Sequence, residues 1–419
     1  MRRAEIRAIG AAALAMALGF SLKVNGAPPT GAAPAVPDAA APSRALEETS
    51  SSSSLHSLEE FFRRGVSETG VVGAGLVVLR GSKVLLECYT GLADRERNVV
   101  ASASTIWHWA SITKTFTGVT IMQLRDRGRL SLDDPIVKYV PELAAVHDPF
   151  GSVSEITLRH LMTHSGGFRS ATFPWGGDKD WQPAEPTRWE QVAAMLPYTE
   201  ILFPPGSKYS YSNPGVVFLG HAIESLTGED YEVAVEKNIF KPLGMTRAYF
   251  DHAPYHLADD VARGYEVVDG RQTPTRANFD SGITVSNGGL NAPAGDLAKW
   301  VAFLAGDGPY PVLARASLEE MWTPVLPTGR AGPGSESVGL SFFVEERDGV
   351  RYVGHEGGQN GFISHFFLDP RSKLGYVVVY NTSVSDPTKS WEKNLTRAFD
   401  RRLKELLFTS VFPVLRGGR

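Results

Sequence analysis

The sequence predicts an α+β fold: an antiparallel β-sheet flanked by the terminal helices, with an inserted, mainly helical lobe. Three observations carry that expectation. Runs rich in β-branched and aromatic residues stand near both ends of the chain, as VVGAGLVVLRGSKVLLECYTG and as VGLSFFVEERDGVRYVGHEGG with GFISHFFLDPRSKLGYVVVYN. The sequence between them reads mostly as helix. The last segment, SWEKNLTRAFDRRLKELLF, is helical in pattern as well. A sheet drawn from both ends would enclose an insertion, and a cleft between two lobes is a common place for a site.

The chain starts outside this pattern. MRRAEIR is basic, and AIGAAALAMALGFSL is apolar over about the length of a secretory signal core. Residues 1–26 are expected to be a signal peptide, cleaved after Gly26 or Ala27, and the protein to be exported, either periplasmic or secreted. The apolar run falls short of the ~20 residues a membrane-spanning helix needs. An uncleaved signal would instead leave the protein membrane-anchored. No Cys follows the run, so no lipid anchor is expected. Residues 27–54 are rich in Ala, Pro and Ser and almost lack large apolar side chains. They cannot offset their ordering entropy and read as a disordered linker.

Residues 55–419 form the expected folded domain, with a sheet lobe at 55–110 and 285–419 and a helical lobe at 111–284. Leu55, Leu58, Phe61, Phe62 and Val66 recur near helical spacing. Two β-rich runs with a Gly-containing turn follow and read as a hairpin. Cys88, the only cysteine, lies in the second run; it excludes an internal disulfide and reads as a small buried hydrophobe. Of the 419 residues, 42% are hydrophobic and 21% charged, ordinary values for a chain with a large core. A net charge of −4 gives no reason to expect a nucleic-acid or anionic-membrane partner.

Three short motifs carry chemistry. Ser111 and Lys114, in WASITKTFTGVTIMQLRDRG, form S-x-x-K at the start of an amphipathic helix that Gly128 ends. Helical spacing puts the Lys one turn on, on the face of the Ser. The helix N-terminus favours an oxyanion there, and a desolvated Lys can accept the Ser proton. Composition alone yields about one or two such matches by chance. The second match, Ser390 with Lys393, opens a charged terminal helix where Ser390 reads as an N-cap.

Tyr211-Ser212-Asn213 forms Y-x-N in a loop entered through Pro204, Pro205 and Gly206. Such a loop can turn a phenol and an amide toward a cleft, or hold an ordinary structural Tyr. His355-Glu356-Gly357-Gly358 supplies a basic residue followed by x-Gly on a strand. Its glycines would let a substrate approach the backbone, and a backbone N–H there could complete an oxyanion hole with that of Ser111. His164-Ser165-Gly166 has the same pattern, but it ends a helical run and reads as a helix stop. The motifs follow in order, Tyr211 coming 100 residues after Ser111 (211 − 111) and His355 a further 144 on (355 − 211).

With ASITKTFTG, LSLDDPIVKYVPE, ITLRHLMTHSGG, PPGSKYSYSNPG, GGLNAPAGDLAKW and VGHEGGQNGF in place, residues from about 55 to 410 resemble the serine β-lactamase-related superfamily. The branch they resemble is class C-like, with its esterases, D-amino-acid peptidases and low-molecular-weight penicillin-binding proteins. The resemblance implies acyl transfer through a Ser ester, with no metal and no other cofactor. It implies Ser111 as nucleophile, with Lys114 and Tyr211 sharing the base and acid roles. Asn213 would orient the scissile amide or ester, and His355 would take the cationic position of the third motif. The N–H groups of Ser111 and Gly358 would bind the oxyanion.

Two departures bear on substrate. β-Lactamases typically carry Lys where His355 stands, and a neutral His is a weaker partner for a carboxylate. Glu356 stands where the family commonly has Thr; facing the cleft, it would repel an anion unless Arg351 or another base offset it. The expected partner is therefore a small-molecule or peptide-like substrate, a neutral or cationic ester or amide rather than a penicillin or a D-Ala-D-Ala terminus. The runner-up is a D,D-carboxypeptidase or a weak class C-like β-lactamase. A further alternative is a non-catalytic binding protein of the same fold, against which the intact Ser111, Lys114, Tyr211 and Asn213 argue. Trp175 and Trp181 either wall the acyl or leaving-group pocket or pack a surface loop. No strict G-x-S-x-G and no H-E-x-x-H are present, which removes the usual signatures of an α/β-hydrolase and a zinc peptidase.

Overall fold

The computed structural model describes residues 50–170, 186–275, 281–308, 312–386 and 393–417. Among them runs a nine-stranded sheet. Its strands in chain order are β1 (Gly73–Arg80), β2 (Lys83–Asp94), β3 (Val99–Val100), β4 (Leu326–Pro327), β5 (Ser335–Val338), β6 (Phe343–Arg347), β7 (Val350–Gln359), β8 (Phe362–Asp369) and β9 (Leu374–Tyr380). Their spatial order is β3-β2-β1-β9-β8-β7-β6-β5-β4, every pair antiparallel. The seam between the two ends of the chain is β1 against β9, with Ala74 opposite Tyr380 and Arg80 opposite Leu374.

The sheet is covered on both faces, and the period of two along each strand does the sorting. Leu76 and Val78 of β1 join Tyr376, Val378 and Tyr380 of β9 in one core, against α1 (Ser50–Thr69) and the C-terminal helix Leu395–Leu406. Val77 and Leu79 join Val377 and Val379 in the other, which runs into the helical lobe. Each such side chain, fully buried, contributes about 1.5–3 kcal/mol relative to exposure. Cys88 is buried in the first core, and burial pushes its thiol up to about 12.

Three local expectations change. The first helix starts at Ser50, so the last five residues assigned to the linker, 50–54, are helical. The C-terminal helix starts at Leu395, where the Asn394 side chain accepts from the Arg397 N–H. Ser390, expected as its cap, lies outside the described residues. The inserted lobe also contains two strands, Tyr265–Val268 and Arg271–Pro274. The first pairs in parallel with Thr382–Ser385, beyond the end of β9. Asp269 and Gly270 both take positive φ in the turn between them, as an Asp-Gly hairpin turn requires.

Candidate active site

A two-stranded ladder, Ile106–His108 against Asn291–Pro293, carries the chain to the site. Trp109 extends it: its backbone N–H donates to Leu290 O at 2.9 Å and its indole N–H to Ala292 O at 2.8 Å. Ala110 then takes φ +49°, a conformation uncommon for a residue with a Cβ, and the chain turns sharply. Ser111 sits in the single helical turn Ala110–Ile112, which runs straight into α2 (Thr113–Asp126). Residues 113–124 of α2 are all buried, so this helix is fixed on every side.

Lys114 lies on the face of Ser111, as the spacing predicts. Its Nζ is 3.0 Å from Ser111 Oγ and 2.7 Å from the carbonyl oxygen of Asn287, in the short helix Val285–Gly288. Lys114 is fully buried, and desolvation holds its pKa well below the ordinary lysine range. Tyr211 stands two residues before α3 (Asn213–Thr227), whose cap is Ser212. Lys114 Nζ lies 5.0 Å from the centroid of the Tyr211 ring. Burial raises the Tyr211 pKa well above the usual phenol, against a lowering hydrogen bond from Ser111, so the phenol keeps its proton at neutral pH. The buried Oδ1 of Asn213 has no hydrogen-bond partner among the described residues.

The third motif arrives on β7. The His355 ring is buried, 4.8 Å from the Phe343 ring and 6.4 Å from that of Tyr211. Burial, with Lys114 nearby, pushes its pKa down to about 3. It is therefore a neutral imidazole, and the cation expected at this position is absent. Gly357 presses on the turn that leads into Ser111: a Cβ there would come within 2.4 Å of Trp109 O and 2.3 Å of Ser364 Oγ. Gly358 faces the other way, toward Arg397 of the terminal helix. Glu356 alternates with Gly357 onto that same side. Burial alone would raise its pKa, but interactions with His365, Lys404, Arg330 and Arg397 bring it down to about 2.

Arg351, named as a base that would offset Glu356, instead bonds Glu346 at 2.6 and 3.0 Å. Among the offsetting groups Arg330 makes the ion pair: its Nη1 lies 3.6 Å from both Glu356 and Glu336, and its guanidinium sits over the Phe343 ring. Two further residues escaped the sequence reading. His164, dismissed as a helix stop, is buried with its ring 4.4 Å from that of Tyr211. Asn287 contributes only a carbonyl, which no residue pattern marks. Trp175 and Trp181 lie outside the described residues. A groove of about 1050 Å³ is lined by Arg80, Trp322, Arg347, Arg351 and Arg416, and neither Ser111, Lys114, Tyr211 nor His355 lines it. Among the described residues no three His, Cys, Asp or Glu group as metal ligands, and no helix is long and apolar enough to cross a membrane.

A model of one family, Beta-lactamase, matches residues 58–398. The chain belongs to the beta-lactamase family. This family member is 26% identical over 329 residues to "Protein flp" of Staphylococcus aureus (strain COL), 78% of this chain and 63% of that protein. It thus spans less than two thirds of that relative's length. Among solved structures it resembles the octameric penicillin-binding protein homologue from Pyrococcus abyssi, with TM-score 0.68 and 30% identity over 78% of this chain and 73% of that one. It also resembles a D-stereospecific amidohydrolase from Streptomyces sp., with TM-score 0.62 and 25% identity over 78% and 94%. The beta-lactamase fold accounts for both the helical lobe and the antiparallel sheet, and its relatives here include hydrolases.

Proposed function

We propose that this protein is an exported serine hydrolase that forms an acyl-enzyme on Ser111 and acts on neutral or cationic small esters or amides. The observation that carries it is the 3.0 Å approach of a buried, charge-depleted Lys114 amine to the Ser111 hydroxyl. In this reading Ser111 Oγ attacks the substrate carbonyl while its proton passes to Lys114 Nζ. The N–H groups of Ser111 and Gly358 hold the oxyanion. The carbon–leaving-group bond then breaks as the Tyr211 phenol protonates the leaving oxygen or nitrogen. The proton on Lys114 returns to the phenolate, so the net transfer is from Ser111 to the leaving group. Water repeats the steps on the acyl-Ser111 ester. Asn213 Oδ1, with no hydrogen-bond partner among the described residues, is available to orient the substrate.

The substrate preference rests on charge. Around the third motif one guanidinium, Arg330, faces two carboxylates, Glu336 and Glu356, and His355 is neutral. A neutral imidazole in the position of the third motif's basic residue gives a carboxylate-bearing substrate no charge partner there. The likeness to a D-stereospecific amidohydrolase supports including D-amino-acid amides among candidates. The test is a panel of p-nitrophenyl acetate, D-amino-acid amides and a cephalosporin, run with wild type and S111A, beside labelling by a fluorophosphonate probe. Ser111-dependent labelling and turnover of the ester or the amides are expected. Labelling that survives S111A, or turnover of none of the panel, overturns the hydrolase reading. A kcat/KM for the cephalosporin equal to or above that for the acetate overturns the substrate class.

A further inference from the structure

We propose that His164 is a positioning residue that fixes Tyr211 for proton transfer by gripping the backbone on both sides of it. This rests on the reading of Tyr211 as the acid in the acyl transfer above. The backbone N–H of Ser210 donates to the carbonyl oxygen of His164 at 2.8 Å. The N–H of Ser212 donates to its imidazole Nδ1 at 3.2 Å. The two peptide groups that bracket Tyr211 therefore both end on one residue. Between those bonds the two rings lie 4.4 Å apart at 33°, so the imidazole also backs the phenol plane.

The backbone of His164 points the same way. It takes φ +52°, a region in which His, like Asn and Asp, is found more often than other side chains, so the turn accepts this ring. An Nδ1 that accepts must carry a lone pair, so the ring is neutral with its proton on Nε2. Burial, reinforced by Lys114 and His355, favours that form. The sequence marks His164 only by the HSGG that follows the third motif's pattern. The structure turns that repeated pattern into a support for the second motif.

The experiment measures kcat and KM for p-nitrophenyl acetate in H164G and H164N, each with Tyr211 and with Y211F. H164G removes the ring and its acceptor while accepting the positive φ; kcat should fall about tenfold or more with KM within about twofold. H164N accepts positive φ and offers Oδ1 where Nδ1 stood, so it should recover kcat to within about threefold of wild type. In the Y211F background H164G should cost nothing further. Full kcat in H164G, equal losses in both backgrounds, or an H164N as slow as H164G each overturn the proposal. Should H164G fail to fold, H164Q replaces it, since its amide sits one methylene too far out to accept from Ser212; wild-type kcat in H164Q then overturns the proposal. Y211F alone separates the two readings. A full-rate Y211F removes the acid role and this proposal together, whereas a slow Y211F beside a full-rate H164G removes only this one.

Discussion

The amine of Lys114 donates to the carbonyl of Asn287 at 2.7 Å, deep in a helix whose neighbours are all buried. That bond aims the remaining valence of the amine at Ser111 Oγ. It also leaves Lys114 without a carboxylate among its hydrogen-bond partners, so nothing compensates the loss of water. Lys114→Met keeps the volume and removes the amine proposed as the base. Its kcat on p-nitrophenyl acetate should drop at least about 100-fold. Retention of more than a tenth of wild-type kcat would assign the base elsewhere.

The same burial makes a stability prediction. Between the depressed pKa of Lys114 and the ordinary 10.5, the unfolded chain binds a proton that the folded protein does not. Wild-type stability should therefore rise relative to K114M as pH climbs toward 10.5, by up to about 1.4 kcal/mol per pH unit. Urea melts of both proteins at several pH values measure this. A difference that stays flat or shrinks with pH contradicts a neutral Lys114.

His355 titrates in the opposite part of the scale. With its pKa pushed down from 6.5 to about 3, the unfolded chain takes up a proton across that interval and the folded protein does not. Stability contributed by neutral His355 should be lost as pH falls from about 6.5 toward 3, at up to about 1.4 kcal/mol per pH unit. H355Q should unfold with a shallower acid dependence in the same urea series. Equal slopes for the two proteins would place the acid sensitivity on other groups.

Gly357 and Gly358 should differ although they are neighbours. A Cβ at 357 meets the Trp109 carbonyl at 2.4 Å, backbone that cannot yield without moving the turn that leads into Ser111. G357A should cost about 1–3 kcal/mol of stability and most of the activity. At 358 the obstacle, at 2.2 Å, is the end of the Arg397 side chain, which can swing away. G358A should therefore lose much less of both. Thermal melts and p-nitrophenyl acetate rates on the pair decide; the reverse ranking would mean β7 does not seat against the turn.

The charge argument predicts opposite effects at two contacting residues. R330A removes a cation that Glu336 and Glu356 share and should lower the cephalosporin-to-acetate ratio of kcat/KM, while E356Q should raise it. Each shift should be about two- to tenfold, as expected for partly solvated charges that act on the cleft from beside it. Ratios that move together, or not at all, would show that charge at this edge does not select substrates.

Most of the fold was legible because its elements repeat their signal over many residues. β1 and β9 alternate strictly between two cores, and α2 and the terminal helices carry apolar residues at helical spacing. The hairpin Tyr265–Pro274 was passed over although Asp269-Gly270 marked it, since its strands are four residues each and half exposed. At the site, the structure brings Ser111, Lys114, Tyr211 and His355 together as expected. Arg330, Asn287 and the role of His164 were not legible. Each acts through a contact made across more than 25 residues of chain, and a backbone carbonyl or a loop guanidinium leaves no local pattern.

By itself the amino-acid order determined the element types, the strand-rich ends, the helical insertion and the three short motifs. Those features depend on side-chain period and on chemistry within a few residues. The tertiary structure alone decided the protonation of the site and its charge balance: a neutral His355, a depleted Lys114, Glu356 turned off the cleft side and Arg330 shared between two carboxylates. Those properties come from desolvation and from distances between groups far apart in sequence. Neither exists until the sheet and the helical lobe close around the side chains.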